Sequence, residues 1–149
     1  MVGVGCMTEP ATLGTHAKWL KDANTKMISL YNEESVTTHT ALKECSTNTN
    51  YQVPVGKKFV LLNLVASGIK GHQSIRVFSH SSPSTSGGTQ VFTANNGGGL
   101  LLTGYNESQI YQLEFNLYID GFGAGQYVNT QHTATGLLGF AVTGIETDV

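Results

Sequence analysis

Charge is what this sequence has least of. Of its 149 residues only 12% are Asp, Glu, Lys or Arg, ten acidic against eight basic, for a net charge of −2. Soluble domains usually carry about 25%. The basic residues gather nowhere beyond Lys57-Lys58. Neutralising phosphates takes several clustered cations, so a nucleic-acid partner is not expected. Cysteine is as scarce. Cys6 and Cys45 form neither a metal-ligand spacing nor a disulfide framework, and idle thiols in a reducing cytoplasm are the expectation. Long hydrophobic runs are missing too. The longest, Phe59 to Ala66 broken by Asn63, is far too short to span a bilayer. Met1-Val2-Gly3-Val4-Gly5-Cys6-Met7 has no basic start and soon meets Glu9 and Pro10, unlike a secretory signal. No membrane association is expected.

Reactive residues are present, but not in arrangements that do chemistry. His16, His39, His72, His80 and His132 make no His-x-His or His-x-x-x-His, and no Cys-x-x-Cys exists. A zinc site is therefore not indicated, and the histidines read as surface or turn residues. Gly-x-Ser-x-Gly is absent, and neither cysteine sits in an activating context. Glycoside hydrolysis needs two carboxylates across a cleft, whereas Glu114 and Asp120 lie on or beside one strand, Glu107 sits in a preceding turn, and Glu114 on the outward face reads as solvated. Gly97-Gly98-Gly99 and Gly121-Phe122-Gly123-Ala124-Gly125 precede strands, while a phosphate cradle opens a helix. The expectation is a non-enzyme without cofactor or metal.

What the sequence does hold is turn chemistry. The 18 glycines, with abundant Ser, Thr and Asn, suit short strands joined by tight turns. Ser46-Thr47-Asn48-Thr49-Asn50 is polar throughout and marks a seam. Before it, residues 1–50 read as an N-terminal arm or extension. Ala17, Leu20, Asn24, Met27 and Ile28 approach a helical stripe, with an extended arm docking on a neighbouring subunit as the alternative. Val36 to Leu42 suits an edge strand.

After the seam, residues 51–149 read as one sandwich. Phe59 to Val65 is apolar on both faces, as in a strand buried on both sides. Ser74 to Ser79, Gln90 to Thr93, Leu100 to Leu102, Gln126 to Asn129 and Gly136 to Glu146 read as further strands. The cleanest is Tyr111 to Ile119, where Tyr111, Leu113, Phe115, Leu117 and Ile119 alternate with Gln112, Glu114 and Asn116. That is a half-buried antiparallel strand. Seven or eight such segments, without strand–helix alternation, predict an all-β antiparallel sandwich of the jelly-roll kind.

Tyr51-Gln52-Val53-Pro54-Val55-Gly56-Lys57-Lys58-Phe59, followed by an apolar strand, resembles the opening of small β-sandwich proteins of phages and bacteria. Gly125-Gln126-Tyr127-Val128 and Gly144-Ile145-Glu146 match the later "glycine, tyrosine-valine" and terminal "glycine-x-glutamate" segments of those chains in order. The likeness spans about two-thirds of the chain and implies a jelly roll similar to virion decoration or minor capsid proteins. It carries the further expectations of a homo-oligomer, with a trimer favoured, of other capsid or tail proteins as partners, and of a virion location after assembly in host cytoplasm. The alternative is a carbohydrate- or receptor-binding module, with Tyr118, Phe122 and Tyr127 as its contact residues for a glycan or protein.

Overall fold

The computed structural model describes residues 24–34, 40–69, 73–83, 86–96, 111–133 and 138–149. Within them lie nine strands: β1 (Lys26–Glu34), β2 (Thr40–Ala41), β3 (Lys43–Glu44), β4 (Lys57–Ile69), β5 (Gln73–His80), β6 (Thr89–Asn96), β7 (Tyr111–Phe122), β8 (Tyr127–His132) and β9 (Leu138–Asp148). They form two antiparallel sheets, ordered β3-β1-β9-β4-β7 and β2-β8-β5-β6.

That order has a simple origin. Setting the two-residue β3 aside, the other eight strands pair as one long folded ribbon: β1 with β9, β2 with β8, β4 with β7, and β5 with β6. Rolling the ribbon brings β4 beside β9 and β5 beside β8, which closes the two sheets over one another. This is a jelly roll.

The core lies between the sheets. Ile28, Leu30, Phe59, Leu61, Leu64, Phe140 and Val142 from one sheet meet Ile75, Val77 and Val128 from the other. Strand β7 follows the alternation anticipated for it. Leu113, Phe115, Leu117 and Ile119 pack against the core, while Gln112, Glu114, Asn116, Tyr118 and Asp120 are exposed. Phe115 meets Phe92 of β6 edge-on at 5.1 Å, so the two outermost strands on this side face each other across the sandwich. Strand β4 is buried on both faces: Phe59 and Leu61 turn inward while Val60 and Leu62 alternate to the outer side, also buried, and a bulge between Leu61 and Asn63 brings Leu64 and Ala66 back to the core.

The first fifty residues depart from expectation. Strand β1 sits between β3 and β9 and pairs with β9 from Lys26↔Glu146 to Glu34↔Leu138. Residues 26–44 therefore supply three strands to the sandwich, and a division at residue 50 does not separate arm from domain. Met27 and Ile28, placed on a helical stripe by their spacing, lie in β1 because nine ladder positions outweigh a weak local preference. The edge strand expected over Val36 to Leu42 is realised at Thr40–Ala41. The polar seam is a connection, closed by Thr47 and Asn48 N–H groups donating to Glu44 O. Cys45 is disulfide-bonded, not idle, and His132, expected near the surface, is fully buried. The strand expected at Leu100 to Leu102 and the helical positions Ala17 and Leu20 lie outside the described residues, as do His16, His39 and His72.

Candidate contact surface and the junction that supports it

One end of the sandwich gathers three sequence segments, Tyr51 to Phe59, Gly125 to Val128 and Gly144 to Glu146. Pro54-Val55-Gly56-Lys57 is a tight turn with Lys57 N–H donating to Pro54 O at 3.1 Å. Gly56 takes φ +80° there, the left-handed value that a type II turn requires and that glycine adopts without strain. Val53 N–H donates to Gln126 O at 2.9 Å and Gly125 N–H to Val53 O at 2.8 Å. The opening segment is thus stitched to the "glycine, tyrosine-valine" segment. Tyr51 Oη donates to Glu146 Oε2 at 2.8 Å inside the protein. A Cβ on Gly144 would sit 2.3 Å from both the Phe59 ring and Val60 O. The opening segment is therefore also locked to the terminal one.

Electrostatics explain why Tyr51 and Glu146 stay together. Burial pushes the Tyr51 hydroxyl far above the ordinary value of 10.0, and the hydrogen bond to Glu146 and the charges of Glu146 and Glu44 add to this. The phenol remains a proton donor to the buried carboxylate, and Lys26 approaches that carboxylate at 3.9 Å. This is a structural junction. Its two buried groups are satisfied by one another.

The outer face of the five-stranded sheet carries an exposed aromatic beside a small hollow. Tyr118 on β7 is 67% exposed. Beside it lies a hollow of about 130 Å³ lined by Thr25, Lys58, Val60, Tyr118, Ile145 and Thr147. Lys58 Nζ meets Asp120 Oδ2 at 2.9 Å, and this partner raises the ammonium's pKa by hydrogen bond and charge. Sites for small molecules usually run to about 300–1,000 Å³, so this hollow accepts a single side chain. No group of three or more His, Cys, Asp or Glu that could hold a metal occurs among the described residues.

The three aromatics singled out in the sequence do not converge. Tyr118 is exposed on one sheet. Phe122, though on the same strand, is 1% exposed and packs edge-on against Phe59 at 5.8 Å, so it belongs to the core and is no surface contact. The strand's alternation ends at the register shift between Leu61 and Phe59, which turns Phe122 inward. Tyr127 lies on β8 in the other sheet, half-buried, paired with His80 and Gln52. The Tyr51–Glu146 pair and the buried Asn129, Thr130 and His132 on β8 escaped sequence reading. Only the fold shows which polar residues of an alternating strand face inward.

These features define a jelly-roll sandwich with a structural junction and with β7 as the last described strand of its sheet. No protein-family model and no curated protein matches the chain. Among solved structures it is similar to a chain in the structure of infectious bursal disease virus Gt strain, at 10% identity and a TM-score of 0.28, over 83% of this chain and 33% of that one. The chain thus spans about a third of that protein's length, and so loose a superposition assigns it no role.

Proposed function

We propose that the protein is a non-enzymatic structural component that assembles with copies of itself in a virion, as a decoration or minor capsid protein. The observation that carries the self-assembly is the edge formed by β7. This strand runs from Tyr111 to Phe122 and ends its sheet, with no described strand on its outer side, and it presents the exposed Tyr118. A sheet-ending strand of this length invites pairing, and closed symmetric assembly is a standard way to occupy such an edge. A trimer is the favoured assembly. The virion placement, with other capsid or tail proteins as partners, draws support from the likeness of the Tyr51 to Phe59 opening to phage β-sandwich proteins.

Sedimentation velocity tests the assembly. A trimeric mass at micromolar concentration is expected, and Tyr118→Ala should weaken it without lowering the melting temperature. A clean monomer across that range rules the assembly out. The glycan-binding reading has lost its platform, because Phe122 is buried and Tyr118 and Tyr127 lie on different sheets.

A further inference from the structure

Residues 81–83 and 86–88, between β5 and β6, are strapped onto the four-stranded sheet. Ser82 O accepts from Asn129 Nδ2 on β8 at 2.9 Å, and Asn129 is fully buried. Pro83 O accepts from the Ala41 N–H of β2 at 2.7 Å. Among the described strands β2 ends its sheet, so this carbonyl occupies a backbone donor on the outer edge. His80, the last residue of β5, grips the same segment with both ring nitrogens. We infer that His80 is a proton-operated clasp: the neutral ring pins the strap over the β2 edge, and the protonated ring releases it.

The partners of the ring fix its state. Ser82 N–H donates to His80 Nδ1 at 2.8 Å, so Nδ1 is the bare, accepting nitrogen. Nε2 lies 3.3 Å from Ser86 O, a carbonyl that only accepts, so Nε2 carries the hydrogen. One tautomer of the neutral ring meets both demands. The imidazolium has two donors and no acceptor, so no orientation of the charged ring can receive the Ser82 N–H. The second limb of the strap is packed against the same ring. A Cβ on Gly88 would sit 2.6 Å from His80 Cδ2 and 2.9 Å from Ser79 O, so this close approach needs glycine. Of the elements packed against His80, β5 carries Arg76, and β8 carries Tyr127 and the inward-facing His132. Strand β6 and the described strap residues carry no other titratable group. No carboxylate among these described residues holds an imidazolium in place. Histidine changes charge between about pH 5 and 8, so mild acid operates the clasp. Release of Ser82 loosens Pro83 beside it and bares the Ala41 N–H, opening the β2 edge to another strand. This edge belongs to the sheet opposite β7.

Nuclear magnetic resonance of the nitrogen-15-labelled full chain, between about pH 8 and pH 5, tests the clasp. At the upper pH the imidazole nitrogens of His80 should show the Nε2–H tautomer. Exchange of the Ser82 and Ala41 amides, each normalised to the unstructured rate at the same pH, should be slowed there. Their protection should fall together, several-fold, as His80 takes up its proton. The Leu42 amide, which donates to Val128 O, should keep its protection throughout. His80→Asn puts a non-titrating side-chain oxygen two residues before the same N–H, as in an Asx-turn. In that variant Ser82 and Ala41 should stay protected at both ends of the range. An Nδ1–H tautomer or an unprotected Ser82 amide at the upper pH overturns the inference. So does protection that survives protonation of His80, or an equal loss in His80→Asn, which would assign the response to another group. None of these readings depends on whether the protein assembles through β7.

Discussion

At Gly144 a single hydrogen atom decides whether two strands can pack. A methyl group there would collide with the Phe59 ring and with Val60 O, both 2.3 Å from its position, and the backbone oxygen cannot swing aside. Gly144→Ala should therefore cost about 1–3 kcal/mol in urea unfolding. Gly123→Ala, where nothing lies within 4 Å, should stay within about 0.5 kcal/mol. Tyr51 gives a second residue-scale expectation. Its hydroxyl keeps its proton in the folded state well above 10.0, whereas the unfolded chain releases it near that value. Below pH 10 both states hold the proton and the contribution to stability is complete. Above it the unfolded state binds fewer protons, so stability falls with pH by up to about 1.4 kcal/mol per unit from this group. Tyr51→Phe should remove that alkaline slope, read from melts between pH 9 and 11. At neutral pH the same change should cost about 1–3 kcal/mol by leaving the buried Glu146 without its donor.

Among elements, β7 shows how far sequence alone reaches. Its alternation is visible because one face is core and the other water, and each residue from Gln112 to Ile119 lies where the pattern puts it. The strand runs beyond that pattern to Phe122, where a register shift, set by pairing with β4 and invisible locally, turns an aromatic inward. Strand β1 is the converse case. Lys26-Met27-Ile28-Ser29-Leu30 has no strict alternation, and its strand state comes from β9, more than a hundred residues later. The candidate surface was legible in part: Tyr118 was recognisable as outward, but its neighbours Thr25, Ile145 and Thr147 come from distant segments. A proline tests whether β1 is integral. Leu30→Pro removes a fully buried side chain from a strand flanked on both sides and cannot donate to a ladder. Circular dichroism should show no cooperative melt, whereas a dispensable arm would leave the melt intact.

For the molecule as a whole, the ribbon pairing governs behaviour. The strand pairs β1·β9, β2·β8 and β4·β7 all join distant parts of the chain. Such topologies fold in roughly milliseconds to seconds, and stopped-flow refolding from urea should show a main phase in that range. A chain ending at residue 137 would lack β9, the strand between β1 and β4, and should remain unfolded by the same measurement.

That central place of β9 has a consequence for synthesis. A ribosome makes residues 26–34 early, yet their partner emerges only with residues 138–149. Until then β1 and β4 each present a vacant side, and on a polysome many nascent chains do so at once. Nascent chains are therefore most prone to pair with one another before residue 138 has been made.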